Sequence, residues 1–291
     1  MTASTIGFLG IIALFALLII RIPVAFAMFV VGFFGIIALD SSRAAFGLLA
    51  SEAFTLASSP QLIVVPLFIL MGNVASVTGM SRRLYDAAYA LIGEFRGGLA
   101  SATVIGCGGF AALSGSSVAS ALTMGKVALA EMDRYDYDPR LSTGVVAAGG
   151  TLGILIPPST GFVIYAILTE QSIGRLFLAG VLPGILMLLL FIVAIMVICT
   201  IRPGFGPAGP STTFPQKLRA LAGALPIVGV IFLTIGGIYG GFFSPVEASA
   251  VGAGIVIVIG VLQRSLSLRQ FWEAAKDSVT TTATVMLILI A

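Results

Sequence analysis

The stretch that decides the fold begins as the glycine-rich apolar segment Gly97-Gly-Leu-Ala-Ser-Ala-Thr-Val-Ile-Gly-Cys-Gly-Gly-Phe-Ala-Ala-Leu113, which stops at the polar tetrapeptide Ser114-Gly-Ser-Ser117. An apolar segment, 118–130, and a polar turn, 131–140, follow. A second apolar run is then broken by Gly149-Gly-Thr-Leu-Gly-Ile-Leu-Ile-Pro-Pro-Ser159. Two interrupted apolar segments close in sequence indicate a binding site within a membrane, because irregular backbone is tolerated there only where protein or a cavity surrounds it.

The composition is that of a membrane protein. Hydrophobic residues make up 58% of the chain and charged residues 9%, whereas soluble domains carry about 25% charged residues. A bilayer core requires about 20 apolar residues per helix, and the chain contains several such runs. The runs are continuous rather than alternating, which favours helices over barrel strands. The sequence therefore predicts an all-α polytopic membrane protein.

Several chemistries are disfavoured by what the sequence lacks. The chain has no histidine, the commonest general base and metal ligand, and no paired carboxylates within its apolar runs. Cys107 and Cys199 lie in apolar runs without ligand spacing, and we interpret them as small core residues. The net charge of +3 comes with basic residues that lie between hydrophobic segments, a pattern of membrane topology rather than of nucleic-acid binding. We therefore do not expect an enzyme.

Hydrophobic periodicity predicts the helices outside the central stretch. Apolar runs predict helices at 6–20, 24–39, 60–77, 177–201, 218–239 and 246–262. Apolar residues at helical spacing beside charged ones predict amphipathic surface helices at 81–95 and 263–278, and the segment 40–59 has a similar mixed character.

Within the central stretch, the arms 99–113 and 118–130 are only about 13 to 15 residues long, which is short for a span. We therefore predict a re-entrant helical hairpin whose tip is 114–117. The segments 141–153 and 160–168 are predicted to be half-helices around a break, because prolines lack a backbone donor and disfavour helical geometry at the preceding residue.

The distribution of basic residues supports this topology. If the hairpin enters and leaves on one side, most basic residues share that side, which the positive-inside rule makes cytoplasmic. They are Arg21, Arg82, Arg83, Arg96, Arg134, Arg140, Arg202, Lys217, Arg219, Arg264, Arg269 and Lys276. Arg43 and Arg175 lie opposite, and the N-terminus is predicted to be periplasmic. Two complete spans in place of the hairpin would satisfy the charge count equally well.

The tip and the break are the candidate binding elements. Hydroxyl and carbonyl oxygens at a hairpin tip are hard ligands that suit Na⁺, and helix-end carbonyls carry partial negative charge. The alternative for 114–117 is an ordinary Gly/Ser helix-packing face. At the break, Gly149, Gly150 and Gly153 with two prolines predict real unwinding, and the alternative is a simple proline kink.

Three other features carry weaker signals. Residues 106–111 fit a dinucleotide-binding pattern but lie in an apolar hairpin arm with no preceding strand, so we reject that interpretation. Lys126 either extends toward the cytoplasmic surface or has a functional role. Glu247, near Pro245, is either a buried polar anchor or a carboxylate at a helix N-terminus, where the helix dipole favours it.

Four motifs recur in order along nearly the whole chain. They are Pro66-Leu-Phe-Ile-Leu-Met-Gly-Asn73, the tip 114–117, Gly150-Thr-Leu-Gly-Ile-Leu-Ile-Pro-Pro-Ser159 and Gly237-Ile-Tyr-Gly-Gly-Phe-Phe-Ser-Pro-Val-Glu-Ala248. Together they resemble the large membrane subunit of the tripartite ATP-independent periplasmic (TRAP) transporters, the DctM-like proteins.

The resemblance implies sodium-driven uptake of an organic acid, of C4-dicarboxylate or sialic-acid type, by an inverted-repeat, elevator-type transporter of the bacterial inner membrane. It implies two partners, a small four-helix membrane subunit and a periplasmic substrate-binding protein. The residues that it implies as a sodium site are Ser114, Gly115, Ser116, Gly153, Ile156 and Pro158. The residues that it implies for substrate contact are Ser117, Ser159 and Thr160.

The domain organisation is predicted from the same resemblance. Because the final run 280–291 is too short to cross a bilayer and the family's large subunit is longer, we expect a C-terminally truncated chain whose second half is incomplete. The predicted parts are N-terminal scaffold helices (1–80), a cytoplasmic arm helix (81–96), half of a transport domain (97–170), connecting and second-half scaffold helices (171–262), and a second arm helix with the start of another helix (263–291).

Other functions stay open at this point. A related transporter class is a sodium/dicarboxylate or anion symporter of similar elevator architecture that needs no binding protein. The alternatives from other classes are an intramembrane enzyme, which the missing histidine disfavours, and a purely structural membrane subunit.

Overall fold

The computed structural model describes residues 2–290, and within that part of the chain every regular element is a helix. The α-helices are α1 (Ala3–Ile19), α2 (Val24–Leu39), α3 (Ser42–Ala57), α4 (Val64–Val77), α5 (Met80–Ile92), α6 (Gly98–Ser114), α7 (Ser117–Arg134), α8 (Pro139–Leu155), α9 (Thr160–Leu168), α10 (Ile173–Ile201), α11 (Phe214–Tyr239), α12 (Pro245–Leu262) and α13 (Leu268–Ile290). Short 3-10 helices occupy Pro60–Ile63 and Pro203–Phe205. The predicted all-α fold is confirmed.

The described chain forms two compact units, and the first consists of residues 2–63 with 279–290. In it, α2 packs against both α1 and α3. Ser41 caps α3, since its Oγ accepts a hydrogen bond from the backbone N–H of Ala44 at 3.2 Å. Large apolar side chains such as Phe8 and Phe34 are more than 60% exposed, as expected for helices that are apolar on every face and lie in a membrane.

The second unit, residues 64–278, is built around α6. This helix is buried along almost its entire length and packs against α4, α5, α7, α8 and α10. Its glycines, alanines and serines let neighbouring backbones approach closely. The glycine-rich segment is therefore the core of this unit, and its C-terminal end positions the predicted tip.

Four helical segments are long and apolar enough to cross a membrane: Pro60–Val77, Ile173–Ile201, Phe214–Tyr239 and Pro245–Leu262. The pair α8 and α9 qualifies as a fifth if it is taken as one bent span. Each agrees with a predicted helix within a few residues. The helix predicted from 177 begins four residues earlier, at Ile173, because Ser172 supplies an N-terminal cap to the N–H of Arg175.

The N-terminus of α12 resolves the two interpretations of Glu247. Its Oε2 accepts hydrogen bonds from the backbone N–H and the hydroxyl of Ser244, both at 2.8 Å, and Ser244 Oγ in turn accepts from the Glu247 N–H. This is a capping box. Glu247 is thus a helix N-terminal carboxylate and not a buried anchor.

The hairpin arms are longer than the sequence predicted. They contain 17 and 18 residues, since α7 continues through the polar residues 131–134 that were assigned to a turn. Met132 explains the extension, because its side chain is fully buried and fixes the last turn of α7. Arms of about 26 Å approach the lower limit for a span, so length alone does not separate a re-entrant hairpin from two spans.

Two further predictions meet a different local structure. The surface helix 263–278 and the following apolar run are one continuous helix, α13, because no glycine or proline interrupts the chain after Leu268. The surface helix 81–95 ends earlier, at Ile92, and Gly93 follows it.

The loop 202–213 fastens the base of the second unit. Its Gly206 carbonyl accepts a hydrogen bond from the N–H of Gly97 at 3.0 Å, just before α6 begins. Its Phe205 carbonyl accepts from the N–H of Asp138 at 3.1 Å, just before α8 begins. The loop therefore joins the starts of the two helices that carry the tip and the break.

Candidate ion and substrate site

The tip is a tight turn between α6 and α7. Gly115 follows the last residue of α6 with φ of 60°, a left-handed conformation that suits glycine. Ser116 begins α7 as its N-cap, with Oγ accepting from the N–H of Ala119 at 3.3 Å. The sequence Ser114-Gly-Ser116 thus reverses the chain direction. It brings the C-terminal end of α6 next to the N-terminal end of α7.

The break in the second apolar run lies between α8 and α9, whose axes differ by 40°. The predicted half-helices are confirmed, and the Pro157–Pro158 peptide bond is cis. In a continuous helix the N–H groups of residues 157 and 158 would bond the carbonyls of Gly153 and Ile154. Prolines have no N–H, so they cannot supply those bonds.

The tip and the break meet directly. The carbonyl of Gly115 accepts two hydrogen bonds from Thr160, at 3.1 Å from its backbone N–H and at 2.9 Å from its hydroxyl. The start of α9 is therefore fixed to the turn between α6 and α7 by both donors of one residue.

The backbones approach too closely for a larger residue at Gly153. A Cβ built on Gly153 would lie 2.7 Å from the backbone C and O of Ser116, which is inside van der Waals contact. The last turn of α8 thus lies against the first turn of α7, and this close approach requires glycine.

Helix α4 supplies a contact that the sequence analysis missed. A Cβ built on Gly72 would lie 2.4 Å from the Cα of Ser114, so α4 touches the tip on another side. Gly72 lies within the motif 66–73, which does not by itself predict a site residue there. The sequence does contain a signal for this contact. Gly72 is the one glycine of the motif 66–73, where it follows a series of large apolar residues.

The place where the tip (114–117) meets the break (156–159) and the start of α9 is called the junction. Its polar atoms are mostly buried. Ser114 Oγ and Ser120 Oγ lie 3.3 Å apart, and both residues are buried. Ser159 is 1% exposed, and its hydroxyl has no hydrogen-bond partner in the structure. A buried hydroxyl without a partner is costly, and at Ser159, beside the tip, a ligand would supply the missing hydrogen bond.

The oxygen atoms at the junction suit a sodium ion better than a transition metal. The oxygens at the junction are hydroxyls and carbonyls, the hard ligands that small cations prefer. Within residues 2–290, no three His, Cys, Asp or Glu side chains cluster to bind a metal. A site of neutral oxygens suits a singly charged ion.

All nine residues implied for ion or substrate binding belong to the tip, the break or a helical turn next to one of them. Ser114, Gly115, Ser116 and Ser117 form the turn, and the others form the end of α8, the break and the start of α9. They differ in accessibility: Ser159 is buried, whereas Ser117 and Thr160 are partly exposed. Ile156 directs its side chain elsewhere, toward Gly108 and Gly184, so only its backbone faces this junction.

Polytopic membrane transporters combine three features that this structure has. They are helices that can cross a bilayer, a discontinuous helix, and a hairpin tip that contacts the break in that helix. The family is shown by its sequence model. Residues 11–291 match the model of the tripartite ATP-independent periplasmic transporter, DctM component, and the chain belongs to this family.

Curated relatives agree with this assignment. The C4-dicarboxylate TRAP transporter large permease protein of Pseudomonas aeruginosa is 42% identical over 205 residues, which cover 70% of this chain and 48% of that protein. The ectoine TRAP transporter large permease protein of Halomonas elongata is 34% identical over 229 residues, 78% of this chain and 53% of that protein. The sialic acid TRAP transporter large permease protein of Vibrio cholerae is 31% identical over 290 residues, which cover 99% of this chain and 66% of that protein.

These three relatives are named as permeases rather than as enzymes, in agreement with the sequence analysis. The chain covers about half to two thirds of the length of these three relatives, from 48% to 66%. Their names specify different substrates: C4-dicarboxylate, ectoine and sialic acid. Membership of the family therefore does not identify the substrate.

Proposed function

We propose that this chain is the large membrane subunit of a sodium-coupled secondary transporter that imports an organic acid of the C4-dicarboxylate or sialic-acid type. A small four-helix membrane subunit and a periplasmic substrate-binding protein complete the transporter, and the binding protein delivers the substrate. The protein lies in the bacterial inner membrane with its N-terminus in the periplasm.

One observation carries this proposal: the double hydrogen bond from Thr160 to the Gly115 carbonyl, which joins the tip to the break. Both lone pairs of that carbonyl are then engaged. Gly115, which the family resemblance implies as a sodium-site residue, would then position the tip instead. The proposed ion ligands are the hydroxyls of Ser114 and Ser116 with backbone oxygens of Gly153, Ile156 and Pro158.

Ion binding and substrate binding are coupled through this junction. Sodium draws the end of α6 and the end of α8 together, where both present carbonyl oxygens with partial negative charge. Ser117, Ser159 and Thr160 stand beside the ion and bind the substrate. An elevator motion then carries the loaded junction across the membrane.

The experiment that tests this function is uptake in proteoliposomes. The protein at its natural length is reconstituted with its small subunit and a loaded binding protein, with and without an inward sodium gradient. Uptake that requires both sodium and the binding protein supports the proposal. Uptake driven equally well by a potassium gradient would contradict it.

A variant pair tests the ion ligands. Replacing both Ser114 and Ser116 with alanine removes two hydroxyl ligands, so the sodium concentration for half-maximal uptake should rise at least tenfold, which corresponds to about 1.4 kcal/mol. Ser101→Ala is the matched control, because Ser101 is a buried serine of the same helix whose hydroxyl has no partner. Unchanged sodium dependence in the double variant would refute the ligand assignment.

The same assay separates the alternative transporter. A sodium/dicarboxylate or anion symporter of related elevator architecture would take up substrate with sodium alone. If omitting the binding protein left the rate unchanged, that alternative would replace the tripartite one.

A further inference from the structure

A pocket of about 360 Å³ opens between the surface helix α5 and the first turns of α11. It lies in the second unit, away from the tip and the break. The residues that line it are Arg83, Asp86, Gln216, Arg219, Ala220 and Gly223. Two arginines from different helices thus face one small cleft whose floor carries no large side chain.

Neither Arg83 nor Arg219 forms an ion pair with a carboxylate in the described part of the chain. The pairs Lys217–Glu94 and Arg269–Glu273 are ion pairs that involve other residues. Arg83 donates one hydrogen bond, to Gln263 Oε1, and a guanidinium has five N–H donors in all. With Asp86 ionised, the lining carries two positive charges and one negative charge, a net charge of +1.

The length of α11 places the pocket at a membrane surface. Its 26 residues extend about 39 Å, whereas the hydrocarbon core is about 30 Å thick. The excess of about 9 Å corresponds to the first six residues, and these contain Lys217 and Arg219, the charged residues of this helix. The pocket therefore opens where lipid headgroups lie.

We propose that this pocket binds the phosphodiester group of an anionic phospholipid, such as phosphatidylglycerol. Arginine suits phosphate because its planar guanidinium forms two parallel hydrogen bonds to two oxygens. Gln216 adds an amide donor, and a single phosphodiester charge balances the net charge of the lining. Basic pockets between helices on the cytoplasmic side are a recurrent setting for such headgroups.

The bound lipid would tie α5 to α11. Helix α5 connects to the hairpin arm α6, and α11 is a predicted scaffold helix, so the headgroup bridges two elements with different roles. This inference uses the pocket, its charge and the membrane level of α11, together with the predicted cytoplasmic position of this surface. It stands independently of the proposed sodium coupling.

Native mass spectrometry of the protein at its natural length tests the site. The detergent-purified protein is titrated with phosphatidylglycerol or with phosphatidylcholine of the same acyl chains. We expect one tight phosphatidylglycerol, and about 30-fold weaker binding in R83Q/R219Q, equivalent to about 2 kcal/mol. The control R96Q/R140Q removes the same charge from two exposed arginines outside the pocket, and its affinity should stay within about twofold of wild type.

Three results would overturn the proposal. Equal losses in R83Q/R219Q and R96Q/R140Q would mean that net charge alone attracts the lipid. Equal retention of phosphatidylcholine would remove the selectivity for an anionic headgroup. Displacement of the lipid by millimolar inorganic phosphate would identify a site for a free anion. If R83Q/R219Q fails to fold, the single variant R219Q replaces it, because Arg219 is exposed, and it should still bind several-fold more weakly.

Discussion

At the scale of single residues, the junction requires glycine at two positions, because a side chain there would collide with a neighbouring backbone. Gly153 leaves room for the backbone of Ser116, and Gly115 takes a left-handed conformation against Pro158, whose carbonyl would lie 2.5 Å from an added Cβ. Both close approaches involve backbone atoms, which cannot rotate away as a side chain can. Small additions here should therefore have large effects.

Gly153→Ala should destabilise the protein by about 1–3 kcal/mol, the usual cost of overpacking, and should abolish uptake because α8 is pushed off the tip. The measurement is thermal unfolding in detergent together with proteoliposome uptake. Gly144→Ala in the same helix is the control, since nothing lies within 4 Å of its added Cβ. That control should be neutral or stabilising by up to about 1 kcal/mol. A harmless Gly153→Ala would show that α8 and the tip do not need this close contact.

Thr160→Val should weaken the junction without removing it. The variant loses the hydroxyl donor to Gly115 and keeps the backbone donor, at a cost of about 1 kcal/mol. We expect a lower melting temperature and a higher sodium requirement for uptake. Thr160→Ser retains the hydroxyl and should behave as wild type. If valine and serine variants were indistinguishable, the hydroxyl would have no part in holding the tip.

At the scale of elements, the loop 202–213 acts as a fastening for the base of α6 and α8. Its contacts include Tyr137, whose hydroxyl donates to the Pro207 carbonyl at 2.9 Å and accepts from the N–H of Leu99 at 3.3 Å. Burial raises the pKa of Tyr137 to about 12, although the hydrogen bond with Leu99 opposes this shift. The neutral phenol is therefore the form that the folded protein favours.

This shift gives a stability prediction at alkaline pH. A raised pKa in the folded state stabilises the protein fully below the unfolded pKa, about 10, and the contribution is lost as the pH rises toward 12. Tyr137→Phe should be less stable at pH 7 by about 1–2 kcal/mol, because two backbone groups lose their partner. The difference should shrink between pH 10 and 12.

Denaturant unfolding of both proteins across this pH range measures the effect. The pKa values of Tyr85 and Tyr89 are also raised, mainly by burial, and burial is common to both proteins; the smaller contribution that the Tyr137 charge makes to each is absent from the variant. A difference that stayed constant up to pH 12 would contradict the linkage to Tyr137.

At the scale of the whole molecule, the distribution of charge predicts which loops lie on each side of the membrane. The basic residues predict that loop 202–213 is cytoplasmic and that the link between α9 and α10 is periplasmic. The structure provides suitable reporters, because Gln171 and Ser211 are exposed while the native Cys107 and Cys199 are buried.

Gln171→Cys should be labelled in intact cells by a membrane-impermeant thiol reagent, whereas Ser211→Cys should be labelled only after the membrane is opened. The wild-type chain controls for its native cysteines and should remain unlabelled. Labelling of both positions from the same side would rule out an odd number of crossings by α10, and reversed labelling would invert the predicted orientation.

Much of the fold was predictable because membrane helices are encoded locally. Continuous apolar runs specify spans, and a run of glycine and proline specifies a break, so the all-α class and the two half-helices followed from the sequence. The ends of helices were less predictable. Ser172 and Met132 extend α10 and α7 through a cap and a buried anchor, and an anchor depends on what packs above it.

By itself, the sequence determined the class, the family resemblance and the two interrupted segments, because these depend on composition and on the local chemistry of glycine, serine and proline. Only the tertiary structure decided that the tip and the break touch. Residues 115 and 160 are far apart along the chain, and their pairing requires the packing of α6 against α8. The contribution of Gly72 and the two-arginine pocket likewise required that packing, since both bring together helices that no local pattern links.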